Sequence, residues 1–150
     1  MTHGPQRRYF EEIAIGESYE SPGRTVTEAD IVIFAGVSGD YNILHTDAEF
    51  MKTSIFGERI AHGLLGLSIQ AGLLTRWMAP YASLGIAGLR WKFKNPIKIG
   101  DTIRVRAEVT EKKETGPDRG VVTLARTVLN QRDEVVQEGE TDLLVERRRA

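Results

Sequence analysis

The chain has 150 residues, 41% hydrophobic and 27% charged, a soluble globular composition long enough for one domain with one substantial core. Twenty basic and 21 acidic side chains leave a net charge of −1, which gives no general electrostatic grip on nucleic acid or an anionic membrane. Cysteine is absent, which excludes disulfides, thiolate nucleophiles and cysteine-ligated metal centres.

The chain opens on a polar stretch, Met1 to Arg8, that contains His3 and has no apolar run behind it, unlike a signal peptide. Tyr9 to Thr25 is expected to supply an edge strand. Thr27-Glu28-Ala29-Asp30 has the form of a capping box, and Ile31, Phe34, Ala35 and Ser38 follow at helical spacing. A helix is therefore predicted from about Glu28 to Val37, stopped by Ser38-Gly39. From Asp40 to Gly57 the pattern breaks into turns and short helical pieces. Gly63 to Met78 is apolar nearly all round, which predicts a helix buried on most sides. Gly66 and Gly72 inside it suggest close packing against a sheet, and Pro80 ends it. The most apolar stretch, Ile60 to Leu74, is interrupted by His62, Ser68 and Gln70 and is too short to span a membrane. A cytoplasmic location is expected.

The second half reads as strands. Leu89, Trp91 and Phe93 alternate with Arg90, Lys92 and Lys94; Ile103, Val105, Ala107 and Val109 alternate with Arg104, Arg106 and Glu108. Val121 to Leu129 and Val135 to Val145 follow, separated by turns at Thr115–Gly120 and Asn130–Glu134. Gly139 is a candidate bulge. The last residues, Glu146 to Ala150, read as a solvated charge run. The expected class is α+β: an antiparallel β-sheet curled around one long hydrophobic helix. Its open edge is a site for edge-to-edge dimerisation.

The residues suited to chemistry lie between the two helices. Asp40 and His45, held at the edge of an apolar pocket, make an acid–base pair. Gly63 opens the buried helix, where its N–H can bind a developing oxyanion. Each has a plainer alternative: Asn42 and Asp47 can bond local backbone, and His62 can be a helix-entry residue satisfied by a carbonyl. A metal set of Asp40, His45, Asp47 and His62 lacks a standard ligand spacing, and neither Ser38 nor Ser68 sits in a nucleophile elbow.

The run Phe34-Ala35-x-x-Ser38-Gly39-Asp40-x-Asn42-x-Leu44-His45-x-Asp47, with Phe56-Gly57, Ile60-Ala61-His62-Gly63, Trp91-x-Phe93-x-x-Pro96 and Gly100-Asp101, resembles the MaoC-like hydratases, which include the (R)-specific enoyl-CoA hydratases. The resemblance covers about Ile13 to Val145. It implies a hotdog fold over residues 1–150, a long central helix wrapped by an antiparallel sheet. It implies a homodimer or dimer of dimers, an acyl-CoA or acyl-carrier-protein thioester substrate, and no cofactor or metal. It implies catalysis by Asp40, His45 and the Gly63 N–H, with Asn42 and His62 beside the substrate and Lys94 and Lys98 near the mouth of a CoA tunnel. Two positions depart from the family pattern. Ile43 stands where a proline is usual, and Ala71 stands where a helix serine is found. The expected reaction is hydration of a trans-2-enoyl-CoA to an (R)-3-hydroxyacyl-CoA. A hotdog thioesterase and a non-catalytic acyl-CoA-binding module are the alternatives.

Overall fold

The computed structural model describes residues 7–148; His3 and the last two residues of the charge run lie outside that range. Thr27 and Asp30 form the expected capping box: the Asp30 carboxylate accepts from the Thr27 N–H at 2.9 Å, and Thr27 Oγ1 accepts from the Asp30 N–H. Helix α1 (Glu28–Ser38) follows, and Gly39 ends it in the left-handed conformation, φ 75°. Two one-turn helices, α2 (Ile43–Thr46) and α3 (Ala48–Met51), each start on a side-chain cap. Asn42 Oδ1 accepts from the Leu44 N–H at 3.0 Å, and Asp47 Oδ1 accepts from the Phe50 N–H at 2.9 Å.

Helix α4 (Gly63–Met78) is the long element, and it ends just before Pro80. It is not buried on most sides, as its composition suggested. Leu65, Gly66, Ile69, Gln70 and Leu74 are buried, whereas Leu64, Ser68, Ala71, Gly72 and Thr75 are exposed. The sheet covers one stripe of the helix and leaves the opposite one open. The two glycines divide accordingly. A Cβ at Gly66 would collide with Gln137 and sit 2.6 Å from Ile97, but one at Gly72 would meet nothing within 4 Å. Close packing therefore explains Gly66 and not Gly72.

The strands are β1 (Ser18–Glu20), β2 (Arg24–Thr25), β3 (Ser83–Phe93), β4 (Thr102–Glu114), β5 (Arg119–Leu129) and β6 (Val135–Glu146). All pairings are antiparallel, in the order β1-β4-β5-β6-β3, with β2 also on β4. The sheet wraps α4 in the hotdog arrangement. Tyr9 to Thr25 does supply an edge, as two short strands. Two sequence expectations need correction here. Strand β3 begins at Ser83, well before Leu89, and only Trp91 of its alternating apolar residues packs on the core; Leu89 and Phe93 are exposed. Gly139 is not a bulge, because its pairing runs on through Arg126 and Trp91. Its Cβ would strike the Arg90 carbonyl and sit 2.6 Å from the Trp91 ring, so glycine is there for close approach.

One core cluster lies under α4 and includes Ile31, Leu65, Ile69, Leu74, Val105 and Val128. A second joins Phe10, Tyr81, Val109, Leu124 and Leu143 farther along the sheet. Each such aliphatic side chain contributes about 1.5–3 kcal/mol when buried. The C-terminal arginines are not a free solvated tail: Arg147 bridges Glu11 and Glu114, and Arg148 pairs with Glu12. The turn at Phe10–Glu12 brings those carboxylates within reach. Among the described residues no helix is long and apolar enough to cross a membrane.

Candidate active site

The turn after α1 aims a carboxylate. Ser38 Oγ accepts from the Asp40 N–H, and Asp40 Oδ1 accepts from the Asn42 N–H, both at 3.2 Å. Five residues on, α2 buries His45, whose Nδ1 lies 2.7 Å from the Ile60 carbonyl oxygen. A carbonyl only accepts, so Nδ1 carries a proton and Nε2 is the free nitrogen of the neutral ring. That Nε2 faces Asp40 Oδ2 across 4.0 Å. The gap is too long for a hydrogen bond and suits a small polar guest bonded to both groups.

His62 closes the group from behind. It is 2% exposed, stacks on His45 with ring centroids 3.8 Å apart, and has Phe34 tilted against it at 5.0 Å. Its Nε2–H donates to the Asp40 carbonyl oxygen at 2.9 Å, so it ties the Asp40 turn to the start of α4. The plainer reading of His62, satisfied by a carbonyl, matches this contact. The donors of Asp40, His45 and His62 lie within 4.8 Å of one another. Stacked imidazoles hold their in-plane lone pairs side by side rather than converging, so the trio is a poor cation site. Asp47 stands outside it, capping α3.

Gly63 is the first residue of α4, and no side chain caps that helix. The N–H groups of Leu65 and Gly66 bond the His62 carbonyl; among the described residues none accepts from the Gly63 N–H. It stands at the positive end of the helix dipole. A Cβ at Gly63 would sit 2.9 Å from the Phe93 ring. Beside it opens a cleft of about 320 Å³ lined by His45, Gly63, Phe56, Ile60, Phe93 and Gln137, with Lys94 among its walls. The cleft therefore combines one imidazole and one helix N-terminus with apolar walls.

Of the other expected site residues Lys94 lines this cleft, and Asp40, Asn42, His62 and Lys98 fall around it without lining it. Asn42 caps α2, Asp40 faces His45 Nε2, and His62 stacks on the His45 ring. Lys98 Nζ pairs with Glu58 at 2.7 Å and reaches the Phe56 carbonyl at 3.5 Å, which anchors the loop that carries a cleft wall. Lys94 Nζ lies 3.3 Å from Glu138. Arg59 grips Glu28 through both its terminal nitrogens, at 2.5 and 2.8 Å, and touches the His45 carbonyl at 3.4 Å. That contact holds the Glu28 carboxyl below the usual carboxylate range and ties α1 to α2. Sequence reasoning missed Gln137 and the wall role of Phe93. The one signal for Gln137 was Gly66, a residue too small for a buried helix unless something enters there.

A larger hollow, about 580 Å³, lies between Tyr9, Leu84 and the C-terminal arginines. Arg147 and Arg148 are both ion-paired there, and no imidazole or helix N-terminus faces it.

The chain matches the family model described as MaoC like domain over residues 10–131. It is 40% identical to the (R)-specific enoyl-CoA hydratase of Rhodospirillum rubrum, over 91% of each chain. It is 49% identical over 104 residues to protein MaoC of Klebsiella aerogenes, and there it spans only 30% of the relative's length. The solved structure of a protein from Archaeoglobus fulgidus described as a monoamine oxidase regulatory protein superposes with a TM-score of 0.91 at 40% identity, covering 95% of this chain and 97% of that one. Geometry, sequence and fold agree: the chain belongs to the MaoC-like dehydratase family.

Proposed function

We propose that the protein catalyses reversible hydration of a trans-2-enoyl-CoA to an (R)-3-hydroxyacyl-CoA. The observation that carries this reading is Asp40 and His45 Nε2 facing each other across 4.0 Å, with His45 lining the same cleft as Gly63, whose N–H has no acceptor among the described residues. The relative named (R)-specific enoyl-CoA hydratase adds support.

The conjugated thioester makes the β-carbon electrophilic. A water bonded to Asp40 and His45 loses a proton to the pair as its oxygen attacks that carbon. Asp40 is the main acceptor, and His45 orients the water and passes the proton on. The electron pair moves to the thioester oxygen, where the Gly63 N–H receives the negative charge. A proton then reaches the α-carbon, so the net change is one added water. An oxyanion donor of this kind is worth about 2.7–4 kcal/mol. The reverse division of roles, with His45 as the base, uses the same two facing groups. No cofactor or metal enters the scheme.

Lys94 and Lys98 are assigned to the anionic CoA end, and Asn42 and His62 keep the pair in place around the bound acyl group. The whole of residues 1–150 is read as one domain. The exposed edge strand β3, with Leu84, Ile86 and Leu89 on it, suits pairing with a second copy in a homodimer.

The test is loss of enoyl-thioester absorbance with crotonyl-CoA, run beside release of free thiol from a saturated acyl-CoA. Consumption of the enoyl substrate without thiol release supports hydration. Thiol release in its place moves the reading to a thioesterase. Binding without turnover of either moves it to an acyl-CoA-binding module.

A further inference from the structure

Gly63 is a difficult residue on which to hang a precisely aimed donor. It has no side chain, its helix has no side-chain cap, and a glycine backbone is the least restricted of all. Something outside α4 has to hold its peptide units, and one side chain does. Gln137, on β6, is 2% exposed, and its Nε2–H donates to the Gly63 carbonyl oxygen at 2.9 Å.

The direction of that amide is not free. The Trp91 indole Nε1–H donates to Gln137 Oε1 at 3.0 Å. An indole N–H is a donor only, so it accepts no amide flip: Oε1 must face Trp91 and Nε2 must face Gly63. The chain of contacts runs from β3 through β6 to the first residue of α4. Three features unexplained by the helix or the sheet alone serve this chain. Gly66 leaves the space that Gln137 occupies, since a Cβ there would collide with its Nε2. Gly139 lets the Trp91 ring approach, and Phe93 packs on the Cα side of Gly63. Gln137 also lines the cleft that holds His45 and Gly63.

We infer that Gln137, oriented by Trp91, is a positioning residue: it holds the Gly63–Leu64 peptide by its carbonyl oxygen and so fixes Gly63 at the cleft, where the N–H on its other side points at the substrate oxygen. The inference rests on the proposed hydration for its catalytic consequence, but its placement of Gly63 stands apart from any activity. A small misplacement of a transition-state contact costs about a hundredfold in rate.

The experiment uses three variants of the full chain, Gln137→Leu, Trp91→Phe and the double variant. Gln137→Leu removes the donor. Trp91→Phe keeps a ring but frees the amide to turn. Two readouts are taken: kcat and KM on crotonyl-CoA, and the 1H–15N resonances of the Gly63 and Leu64 amides. The expected result is a kcat lower by about tenfold to a hundredfold with KM changed by less than threefold. The double variant should fall no further than Gln137→Leu alone, because both act through one bond. The Gly63 and Leu64 resonances should move while those of the last turn of α4 stay. A folded Gln137→Leu protein with wild-type kcat overturns the inference, and so does an unmoved Gly63 resonance. A wild type inert on every enoyl-CoA would sink the hydration reading alone, and the resonances would still decide where Gln137 holds Gly63.

Discussion

His45 Nδ1 donates to the carbonyl oxygen of Ile60 at 2.7 Å, and this one bond decides which ring nitrogen is available for chemistry. It joins α2 to the strand-like stretch leading into α4 and leaves Nε2 aimed at Asp40. The two nitrogens can be separated by substitution. An asparagine amide nitrogen falls near the Nδ1 position, and a glutamine amide nitrogen falls near Nε2. His45→Asn should keep the bond to Ile60, whereas His45→Gln should leave that buried carbonyl unpaired. His45→Gln is expected to be the less stable by about 1–3 kcal/mol, read from urea midpoints. Equal stability of the two would contradict the assigned tautomer.

Gly66 and Gly72 should respond to alanine with opposite signs. Gly72 has helical surroundings and open space, so Gly72→Ala should stabilise the protein by about 1 kcal/mol through helix propensity. Gly66→Ala gains the same propensity but drives a methyl group into Gln137 and Ile97. It should destabilise by about 1–3 kcal/mol as an overpacking change. Thermal or urea unfolding of both variants checks the pair, and a shared sign would refute the packing assigned to Gly66.

Arg126 sits on the inner side of β5, 4% exposed, with Gln70 Oε1 at 3.5 Å, Met78 Sδ at 3.9 Å and Nε without a partner among the described residues. Burial pushes its pKa down to about 10. The folded value lies below the unfolded one, so the folded state binds this proton less tightly. The group therefore costs stability at neutral pH, and the cost fades only as pH rises above about 10. Arg126→Met keeps most of the volume and removes the charge. It should be stabilising by about 1–4 kcal/mol at pH 7. A loss of stability instead would mean that the guanidinium has a favourable partner in solution.

The cluster of Arg8, Glu17 and Tyr81 sets part of the pH dependence of folding. Glu17 takes two nitrogens of Arg8 at 2.5 and 3.0 Å, and that hydrogen bonding holds its carboxyl below the usual range. Its contribution is present above the unfolded carboxylate pKa and is lost as pH falls through the lower folded value. Tyr81 behaves oppositely. Burial, helped by the Glu17 charge, pushes its pKa up to about 12 from 10.0, so its contribution is complete below the unfolded value and is lost as pH rises through the folded one. Urea midpoints plotted against pH should fall at both limbs. In Arg8→Met the Glu17 carboxyl loses what holds it low, so the protein should be less stable near neutral pH and its acid fall shallower, and an unchanged acid limb would remove Glu17 from the account.

Local chemistry is what the sequence makes legible. The Thr27–Asp30 box, the Gly39 stop and the Asn130–Glu134 turn depend on neighbours in the chain, and they appear where expected. The Asp40–His45 proximity was legible for the same reason, with five residues and one turn between them. Contacts between distant segments were not. Leu89 and Phe93 alternate like core residues, yet β3 is an edge and nothing in its own pattern says so. Gly139 reads as a bulge because a strand glycine has two causes, and only the neighbouring strand shows that the cause is Trp91. Gln137 looks like any polar strand residue until Gly66 and Trp91 are seen around it.

The central claim is that Asp40 and His45 activate water on an enoyl thioester. Its most direct test follows the 1H-independent optical signal, the conjugated enoyl absorbance of crotonyl-CoA, with wild type, Asp40→Asn and His45→Asn, each checked for folding by circular dichroism. The account predicts that wild type consumes the substrate and that both folded variants lose at least a hundredfold in kcat/KM. Wild-type turnover retained in either folded variant would contradict it.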